Sequence, residues 1–348
     1  MTAKMKAVMI GTGMVARTHV QAFADQEEVT LSGIVGRSRD RASAFIEAEC
    51  GALPDRPAAL TLEEVCADPS IDFAVITTPP SERAPLVEAL ASAGKALLVE
   101  KPLERDLRRA SGLVETCERA AVPMGVVLQH RMRDPVRRLQ AMQADFGPLR
   151  MADIRVPWWR DQSYYDAPGR GTYARDGGGV LLTQAIHTLD LVLALAGPVA
   201  EVQALVATTG FHRMEAEDFT VVALRFAGGA VGSVMATTAA YPGGAETLTL
   251  HYDRASVTLD AGRLDIRWQD GRTEVLGETT ASGGGADPMA FSHAWHRDIL
   301  TDFCAALRDG RPPLIPGRAA LRVHALIEAI ERSGRDQGQA TEVQETNT

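Results

Sequence analysis

The first 128 residues of this 348-residue chain alternate between short apolar segments and longer segments rich in Ala, Glu and Arg. The apolar segments are almost unbroken, which is typical of strands buried on both faces of a sheet. The segments between them carry apolar residues at helical spacing. Strands that alternate with helices predict a parallel sheet with helices on both sides. We expect its strands at residues 7–10, 31–35, 73–77, 96–99 and 125–128.

The first expected strand runs directly into a Gly-x-Gly-x-x-Ala turn at residues 11–16. Gly11 permits a tight turn, Gly13 allows the backbone to approach a pyrophosphate, and the small Ala16 allows close packing of helix on strand. The helix that follows presents free N–H groups and the positive end of its dipole to phosphates. In this context the turn predicts a dinucleotide site formed by Gly11, Thr12, Gly13 and Met14. A glycine turn without a ligand is the alternative.

The residues after the second expected strand bear on the choice between NAD and NADP. An acidic residue there accepts from the 2′-hydroxyl of NAD, whereas an arginine accommodates the 2′-phosphate of NADP. This chain has Arg37, Ser38 and Arg39 at these positions. The arginines can pair with a phosphate and the serine can donate to it, so we expect NADP(H) to be preferred over NAD(H). In the alternative, Ser38 or Asp40 caps the next helix and the arginines are solvated.

The pattern changes after residue 129. Further strands recur at short spacing with turn-like connections, which predicts an antiparallel sheet. We expect strands at residues 149–156, 199–208, 219–226, 231–238, 247–252, 255–260, 264–268 and 273–276, helices at 180–196, 293–308 and 319–333, and a mobile loop at 281–288. The predicted domains are residues 1–128 and 129–337, followed by a polar, frayed tail at 338–348.

Charge and composition exclude several classes of protein. The 36 Lys and Arg residues against 45 Asp and Glu give a net charge of −9, which is unfavourable for a nucleic-acid binder. The four cysteines form no Cys-x-x-Cys pair, and no third ligand is suitably spaced from His293 and His296, so we expect no metal. No apolar run approaches the ~20 residues of a membrane span, and residues 1–10 lead into the glycine turn without a cleavage site. We therefore expect a cytoplasmic protein that binds neither nucleic acid nor membrane.

Three further blocks identify a family. They are Thr-Thr-Pro-Pro at residues 77–80, Glu-Lys-Pro at 100–102, and the glycine-rich segment at 177–190 that contains His187 and Asp190. With the N-terminal turn, these blocks resemble the Gfo/Idh/MocA oxidoreductases from about residue 5 to 335. The resemblance implies a Rossmann domain followed by an α/β domain with a large, mostly antiparallel sheet. It also implies that the second domain binds substrate and forms homodimers or homotetramers through its open sheet face.

Members of this family use NAD(P) to oxidise or reduce a secondary alcohol of a sugar, cyclitol or related polyol. The resemblance implies that Thr78, Pro79, Glu100 and Lys101 contribute to cofactor binding. It leaves two alternatives open: an NAD-dependent glycoside hydrolase of the same family, which recycles its cofactor, and a non-catalytic cofactor-binding regulator.

Lys101 and His187 match the family's catalytic residues. An ammonium at a strand end can polarise a substrate oxygen, and an imidazole titrates near neutrality, which suits a proton acceptor. Pro102 is often cis in this motif. The alternatives are a surface lysine and a core histidine.

Two positions depart from the family pattern. Thr183 stands where many relatives have an aspartate, which leaves open whether His187 or Lys101 is the main proton carrier. Arg83 stands where relatives often have a histidine, and we expect only a modest local effect from this difference.

An aromatic and Arg-rich segment at residues 157–173 precedes the helix of His187. Aromatic rings stack on sugar C–H faces, and arginines bind hydroxyls or carboxylates, so an acidic sugar is worth testing. In the alternative, Trp158 and Trp159 fill the domain interface. The expected substrate-binding residues are His130, Trp159, Arg160, Arg170, Tyr173, Thr183 and His187.

Overall fold

The computed structural model describes residues 4–278, 284, 289 and 291–346. The chain divides into two compact units. The first comprises the described residues of Met1–Glu104, Arg108–Gln129 and His293–Ala320, and the second those of Arg105–Leu107, His130–Ser292 and Leu321–Thr348. The units interleave along the chain, and the domain boundaries expected from the sequence stay a prediction. The loop expected at 281–288 lies outside the described residues apart from Gly284.

The first unit contains a six-stranded sheet. Its strands are β1 (Met5–Ile10), β2 (Val29–Val35), β3 (Ala58–Leu60), β4 (Phe73–Ile76), β5 (Ala96–Glu100) and β6 (Met124–Val127). They run in the order β3-β2-β1-β4-β5-β6, and every neighbouring pair is parallel. The predicted Rossmann sheet is confirmed. The short edge strand β3 was not predicted, because an apolar run of three residues is too short to be distinguished as a strand.

Ten α-helices lie in the described part of the chain. They are α1 (Ala16–Ala24), α2 (Arg39–Glu49), α3 (Leu62–Ala67), α4 (Arg83–Ser92), α5 (Leu107–Arg119), α6 (Asp134–Phe146), α7 (Gln162–Tyr165), α8 (Ile186–Ala196), α9 (Ala294–Asp309) and α10 (Gly317–Arg335). None of these described helices has an apolar stretch long enough to cross a bilayer.

Helix α6 was not predicted, although its ends carry ordinary signals. Proline occupies its first turn, where a missing N–H costs nothing, and Gly147 follows it at φ 78°. Its buried face includes Val136, Leu139 and Phe146. The charged residues between them obscure the helical periodicity in the sequence.

The second unit contains a nine-stranded sheet in the described residues. Its strands are β7 (Leu149–Pro157), β8 (Val199–Ala207), β9 (Phe219–Phe226), β10 (Val231–Thr237), β11 (Thr247–Tyr252), β12 (Ala255–Asp260), β13 (Arg263–Trp268), β14 (Thr273–Gly277) and β15 (Thr341–Glu342). Their order is β14-β13-β12-β11-β7-β10-β9-β8-β15. The expected, mostly antiparallel sheet is confirmed, and β7 with β10 is its parallel pair.

Alternating burial along β9 shows that one face of this sheet packs on the core while the other is open. The polar tail differs from the expectation of fraying. Thr341 and Glu342 pair with Val202 and Glu201 of β8, and this adds an edge strand.

Candidate active site

The glycine turn between β1 and α1 has the shape of a phosphate-binding site. Gly11 has φ +115°, and a Cβ there would lie 2.6 Å from Thr77 Oγ1, so the position requires glycine. In the described structure, a Cβ built on Gly13 comes within 4 Å of one atom only, the Thr77 carbonyl oxygen at 4.0 Å. The space over Gly13 therefore admits a pyrophosphate close to the backbone.

The N-terminus of α1 suits an anion for a second reason. Val15 occupies the N-cap position and has no polar side chain to satisfy the first N–H groups. The first turn, Ala-Arg-Thr, carries no carboxylate that would compete for them. These N–H groups and the helix dipole are suited to phosphate oxygens. The residues present here fit a dinucleotide, with Thr12 half-buried and Met14 exposed beside the turn.

The residues after β2 are engaged at the protein surface. Ser38 caps α2 by accepting a hydrogen bond from the Arg41 N–H at 3.3 Å. Arg37 pairs with Glu82 at 2.8 Å, and Arg39 pairs with Glu64 at 2.7 Å. Both guanidinium groups are more than half exposed, and such surface pairs contribute little. The cap expected in the alternative interpretation is present, and both arginines remain accessible.

Lys101 follows the carboxyl end of β5, and the Lys101–Pro102 peptide bond is cis. Its backbone N–H donates to Glu100 Oε2 at 3.2 Å. Because β1, β4 and β5 are neighbouring parallel strands, Gly11, Thr77 and Lys101 all follow strand ends at one edge of the sheet. Ligands of doubly wound sheets bind at this edge, where the strand order reverses.

The Glu100 carboxylate lies in the interior of the first unit, between two histidines. His19 Nε2 is 2.8 Å from Glu100 Oε1, and His296 Nε2 is 3.6 Å from the same oxygen. Burial alone would raise the pKa of the Glu100 carboxyl, but the hydrogen bond with His19 and the nearby His296 ring outweigh it and hold that pKa well below its usual range. The ligand atoms of these three residues lie within 4.8 Å of one another.

The sequence gives no sign of this cluster, because its members are far apart along the chain. The expectation about metals compared His296 with His293, whose Nε2 instead lies 2.7 Å from Asp25 Oδ2. Two histidines and a glutamate are donors that zinc accepts. In this structure His19 and Glu100 are joined by a direct hydrogen bond.

Arg83 is buried beneath the loop that carries Lys101, with 2% of its surface exposed. Its Nε and Nη2 donate to the Thr78 carbonyl at 3.0 and 2.8 Å. Its Nη1 donates to the carbonyls of Glu100, Pro102 and Leu103. Burial lowers the pKa of Arg83 to about 10. From the sequence we expect only a modest local effect at this position, whereas the structure shows a buried guanidinium that donates to four carbonyls.

In the second unit, the glycine-rich segment leads into a short π-helix, Leu181–Ala185, immediately before α8. A Cβ on Gly179 would lie 1.7 Å from the Glu217 carbonyl oxygen, so only glycine fits there. The Glu217 carboxylate accepts from the N–H groups of Gly179 and Leu181, both at 3.0 Å. The Thr183 hydroxyl donates to the Gly179 carbonyl at 2.6 Å. Because π-helices are often found at functional sites, this one supports the choice of the segment before His187 as part of the candidate site.

His187, near the start of α8, stacks on His130. Their ring centroids are 4.4 Å apart and their planes differ by 22°, and both residues are buried. His130 Nε2 lies 2.8 Å from Arg133 Nη2. Because a guanidinium only donates, this His130 nitrogen accepts, and the His130 ring is neutral. Arg133 in turn donates to Glu246 Oε1 at 2.7 Å.

Asp190, the other polar residue expected on the face of His187, is held by Arg131. Two hydrogen bonds of 2.7 and 2.5 Å join the guanidinium to the carboxylate. Burial raises the pKa of the Asp190 carboxyl, and the pairing with Arg131 opposes that shift. The pair ties α8 to the short 3₁₀ turn Gln129–Met132 that also carries His130.

The aromatic segment is partly interior. Arg160 is 2% exposed, and its Nη1 donates to the Trp159 carbonyl at 2.8 Å. Trp158 is also buried, whereas Trp159 is half-buried with its ring centroid 5.8 Å from that of His212.

The other two expected residues of this segment lie nearer the surface. The Arg170 guanidinium lies 4.1 Å from the ring centroid of Tyr164. Tyr173 is 45% exposed, and its N–H donates to Glu215. The substrate-binding roles expected for Trp159, Arg160, Arg170 and Tyr173 stay predictions.

Sequence reasoning missed three residues that the structure brings to these sites. His19 contacts Glu100, and Arg133 with Glu246 supports His130. His19 is 81 residues from Glu100 in the sequence, and Arg133 is 113 residues from Glu246. No local sequence pattern indicates these two pairs. His19 lies three residues after Ala16 of the glycine turn, but nothing in the sequence marks it as a partner of Glu100.

Comparisons with known proteins agree with this geometry. Residues 5–128 match a family model described as an oxidoreductase family with an NAD-binding Rossmann fold, and residues 136–280 match the GFO/IDH/MocA C-terminal domain. The chain is 28% identical to a D-apiose dehydrogenase of Paraburkholderia graminis, covering 96% of this chain and 88% of the relative. It is 25% identical to an inositol 2-dehydrogenase of Rhizobium meliloti, covering 93% and 95%.

A solved structure of high similarity is the WlbA dehydrogenase from Bordetella pertussis in complex with NADH and UDP-GlcNAcA. It aligns with a TM-score of 0.80 and 27% identity, covering 99% of this chain and all of that one. The two family models together span most of the described sequence. This chain is therefore a member of the GFO/IDH/MocA family of NAD-binding oxidoreductases.

Proposed function

We propose that this protein is an NAD(P)-dependent dehydrogenase or reductase that acts on a secondary alcohol of a sugar, sugar acid or cyclitol. The observation that carries the proposal is the position of Lys101 at the sheet edge that also bears the glycine turn. A cation at this edge is suited to a substrate oxygen beside a bound dinucleotide.

Oxidation of a secondary alcohol removes a hydride from carbon and a proton from oxygen. When bound, the cofactor supplies a nicotinamide ring that accepts the hydride. Lys101 donates a hydrogen bond from its ammonium to the hydroxyl oxygen and stabilises the negative charge that develops there. His187 accepts the hydroxyl proton at a ring nitrogen and returns it in the reverse reaction.

We assign the main proton transfer to His187 and an orienting role to His130. The Thr183 hydroxyl donates to the Gly179 carbonyl, and a threonine supplies no carboxylate to orient the histidine. The stacked, neutral His130 ring fixes the plane of His187 instead. In this proposal His130 compensates, within the same unit, for the carboxylate that Thr183 lacks.

For the cofactor we propose a preference for NADP(H). Arg37 and Arg39 are exposed after β2, and each can exchange its carboxylate partner for a 2′-phosphate, with which a guanidinium forms charge-assisted hydrogen bonds of the same class. NAD(H) is the competing choice, and the solved relative from Bordetella pertussis contains NADH.

For the substrate we propose a small sugar, sugar acid or cyclitol. The relatives are named for apiose and inositol, and the solved structure contains UDP-GlcNAcA. The half-buried Trp159 and the Arg170–Tyr164 stack supply the aromatic and cationic surfaces that such molecules use.

We further propose that the chain forms a homodimer or homotetramer through the open face of its nine-stranded sheet. Leu205, Val221 and Val231 lie on the adjacent strands β8, β9 and β10, and each is more than 40% exposed. An apolar patch on neighbouring strands is typical of a protein–protein interface. The cavity at this face is lined by Gln203, Leu205, Val221, Ser233 and Gly338.

The proposed function is tested by a turnover screen of D-apiose, myo-inositol and D-glucuronate, each with NAD and NADP separately. We expect net formation of reduced nicotinamide, followed by absorbance, with at least one compound. We expect Lys101→Ala and His187→Ala each to reduce that rate by at least about 100-fold. Hydrolysis of a glycoside without net nicotinamide reduction would favour the family's hydrolase alternative and contradict the proposal.

A further inference from the structure

The backbone on both sides of Lys101 is bonded to a single buried guanidinium, that of Arg83. We propose that Arg83 is a positioning residue that fixes Lys101 from the protein interior and thereby sets the place of its ammonium. The proposal rests on the proposed function, because it assumes that Lys101 acts on the substrate.

The geometry of the guanidinium explains why it can do this. Nη1 donates to the carbonyl of Glu100, which precedes Lys101, and to that of Pro102, which follows it. Bonds to both neighbours of one residue restrict rotation of the peptide units that carry it. A guanidinium offers five N–H donors in one plane, whereas a lysine ammonium offers three donors from one nitrogen.

The same guanidinium joins the loop that carries Lys101 to the segment that follows β4. Nε and Nη2 both donate to the Thr78 carbonyl, at 3.0 and 2.8 Å. Thr78 and Lys101 follow neighbouring parallel strands, so Arg83 couples two consecutive loops at the functional edge of the sheet. A displacement of one loop therefore moves the other.

A second, independent contact holds Lys101 from its own N–H group. This group donates to Glu100 Oε2 at 3.2 Å, and His19 is hydrogen-bonded to the other oxygen of that carboxylate. His19 lies on α1, the helix that follows the glycine turn. The N–H of Lys101 and the flanking carbonyls are thus bonded to groups that are almost fully buried.

Burial of a cation is costly unless its hydrogen bonds are satisfied. If Arg83 served only the stability of the fold, an apolar side chain of similar volume could take its place. The alternative to our proposal is that Arg83 stabilises the fold without affecting Lys101. Lys95 provides a matched control, since it is a buried cation at the opposite end of β5. Its Nζ donates to the carbonyls of Asp68 and Ile71 at 2.5 and 2.9 Å.

The test compares Arg83→Met, Arg83→Lys and Lys95→Met in the full-length protein. Hydrogen exchange followed by mass spectrometry needs no substrate. We expect faster exchange at residues 100–104 in Arg83→Met, a smaller change in Arg83→Lys, and no change there in Lys95→Met. If Arg83→Met does not fold, the proposal is decided by comparing hydrogen exchange at residues 100–104 in Arg83→Lys with that in Lys95→Met. Equal exchange at 100–104 in wild type and both Arg83 variants would overturn the proposal.

Kinetics with the compound that turns over best in the screen supply the second measurement. We expect Arg83→Met to lower kcat by about 100-fold with a smaller effect on KM, as for a misplaced catalytic group, and Lys95→Met to leave kcat within about twofold. In a Lys101→Ala background, Arg83→Met should cause no further loss, because its effect passes through Lys101.

A full, additive loss in that background would overturn the proposal while leaving the proposed function intact. If Lys101→Ala alone leaves kcat unchanged, the proposed role of Lys101 fails instead, and hydrogen exchange still decides whether Arg83 fixes the loop. The two failures are therefore distinguishable.

Discussion

The imidazole rings of His130 and His187 are stacked, with centroids 4.4 Å apart and planes 22° apart. Arg133 donates to His130, which keeps the His130 ring neutral. In the proposed mechanism, in which His187 accepts a proton, the ring stacked on it is therefore neutral and not a second imidazolium. The stack also restricts the plane in which His187 presents its nitrogens.

The stack predicts a graded response at residue 130. We expect His130→Ala to lower kcat by up to about tenfold, which corresponds to the free energy of one aromatic pair. We expect His130→Phe to lower kcat less, because phenylalanine keeps a ring against His187. Steady-state kinetics and thermal unfolding of both variants check this. Equal kcat values for the two variants would show that stacking has no role.

The arginines after β2 predict the cofactor preference. We expect Arg37→Ala and Arg39→Ala each to raise KM for NADP about tenfold or more, the contribution of a charge-assisted hydrogen bond, with little change for NAD. Arg56→Ala is the matched control, because Arg56 is exposed and pairs with Glu47 in the same unit. A wild-type enzyme that prefers NAD, and is insensitive to both changes, would contradict the assignment.

Glu331 predicts a pH dependence of stability. Burial and the nearby Glu217 raise its pKa to about 8. The folded state therefore binds a proton that the unfolded state has lost between the ordinary carboxyl pKa and about pH 8, so stability falls as pH rises through this window. We expect Glu331→Gln to reduce this fall by a few kcal/mol.

Denaturant unfolding at pH 5, 7 and 9 measures this effect. Asp145→Asn, which changes an exposed carboxylate on α6 of the same unit, is the control and should keep the wild-type slope. If Glu331→Gln leaves the difference between pH 5 and pH 9 unchanged, Glu331 is not the responsible group.

The open sheet face predicts the assembly. We expect Val221→Asp and Leu205→Asp to lower the molecular mass in solution from dimer or tetramer towards monomer, because a buried, unpaired charge is costly. Leu314, 52% exposed in the first unit and outside the sheet, is the control, and Leu314→Asp should leave the mass unchanged. Sedimentation velocity measures all three, and a wild-type monomer would refute the proposed interface.

Local signals explain which elements were predictable. The strands of the first unit and the glycine turn are encoded in runs of a few adjacent residues, and they lie where the sequence indicates. Helix α6 escaped detection because its charged surface conceals its apolar spacing. Strand β15 escaped because two polar residues form a strand only when β8 offers an edge to pair with.

The sequence by itself determined the class of fold, the glycine turn after the first strand and the identity of Lys101 and His187 as candidates, since each of these depends on short contiguous motifs. Only the tertiary structure decided what surrounds those candidates. Arg83 binds the carbonyls on both sides of Lys101, and His130 stacks on His187. These contacts join residues that are distant in sequence, and a buried polar group takes whichever partner the packed chain brings within hydrogen-bond distance.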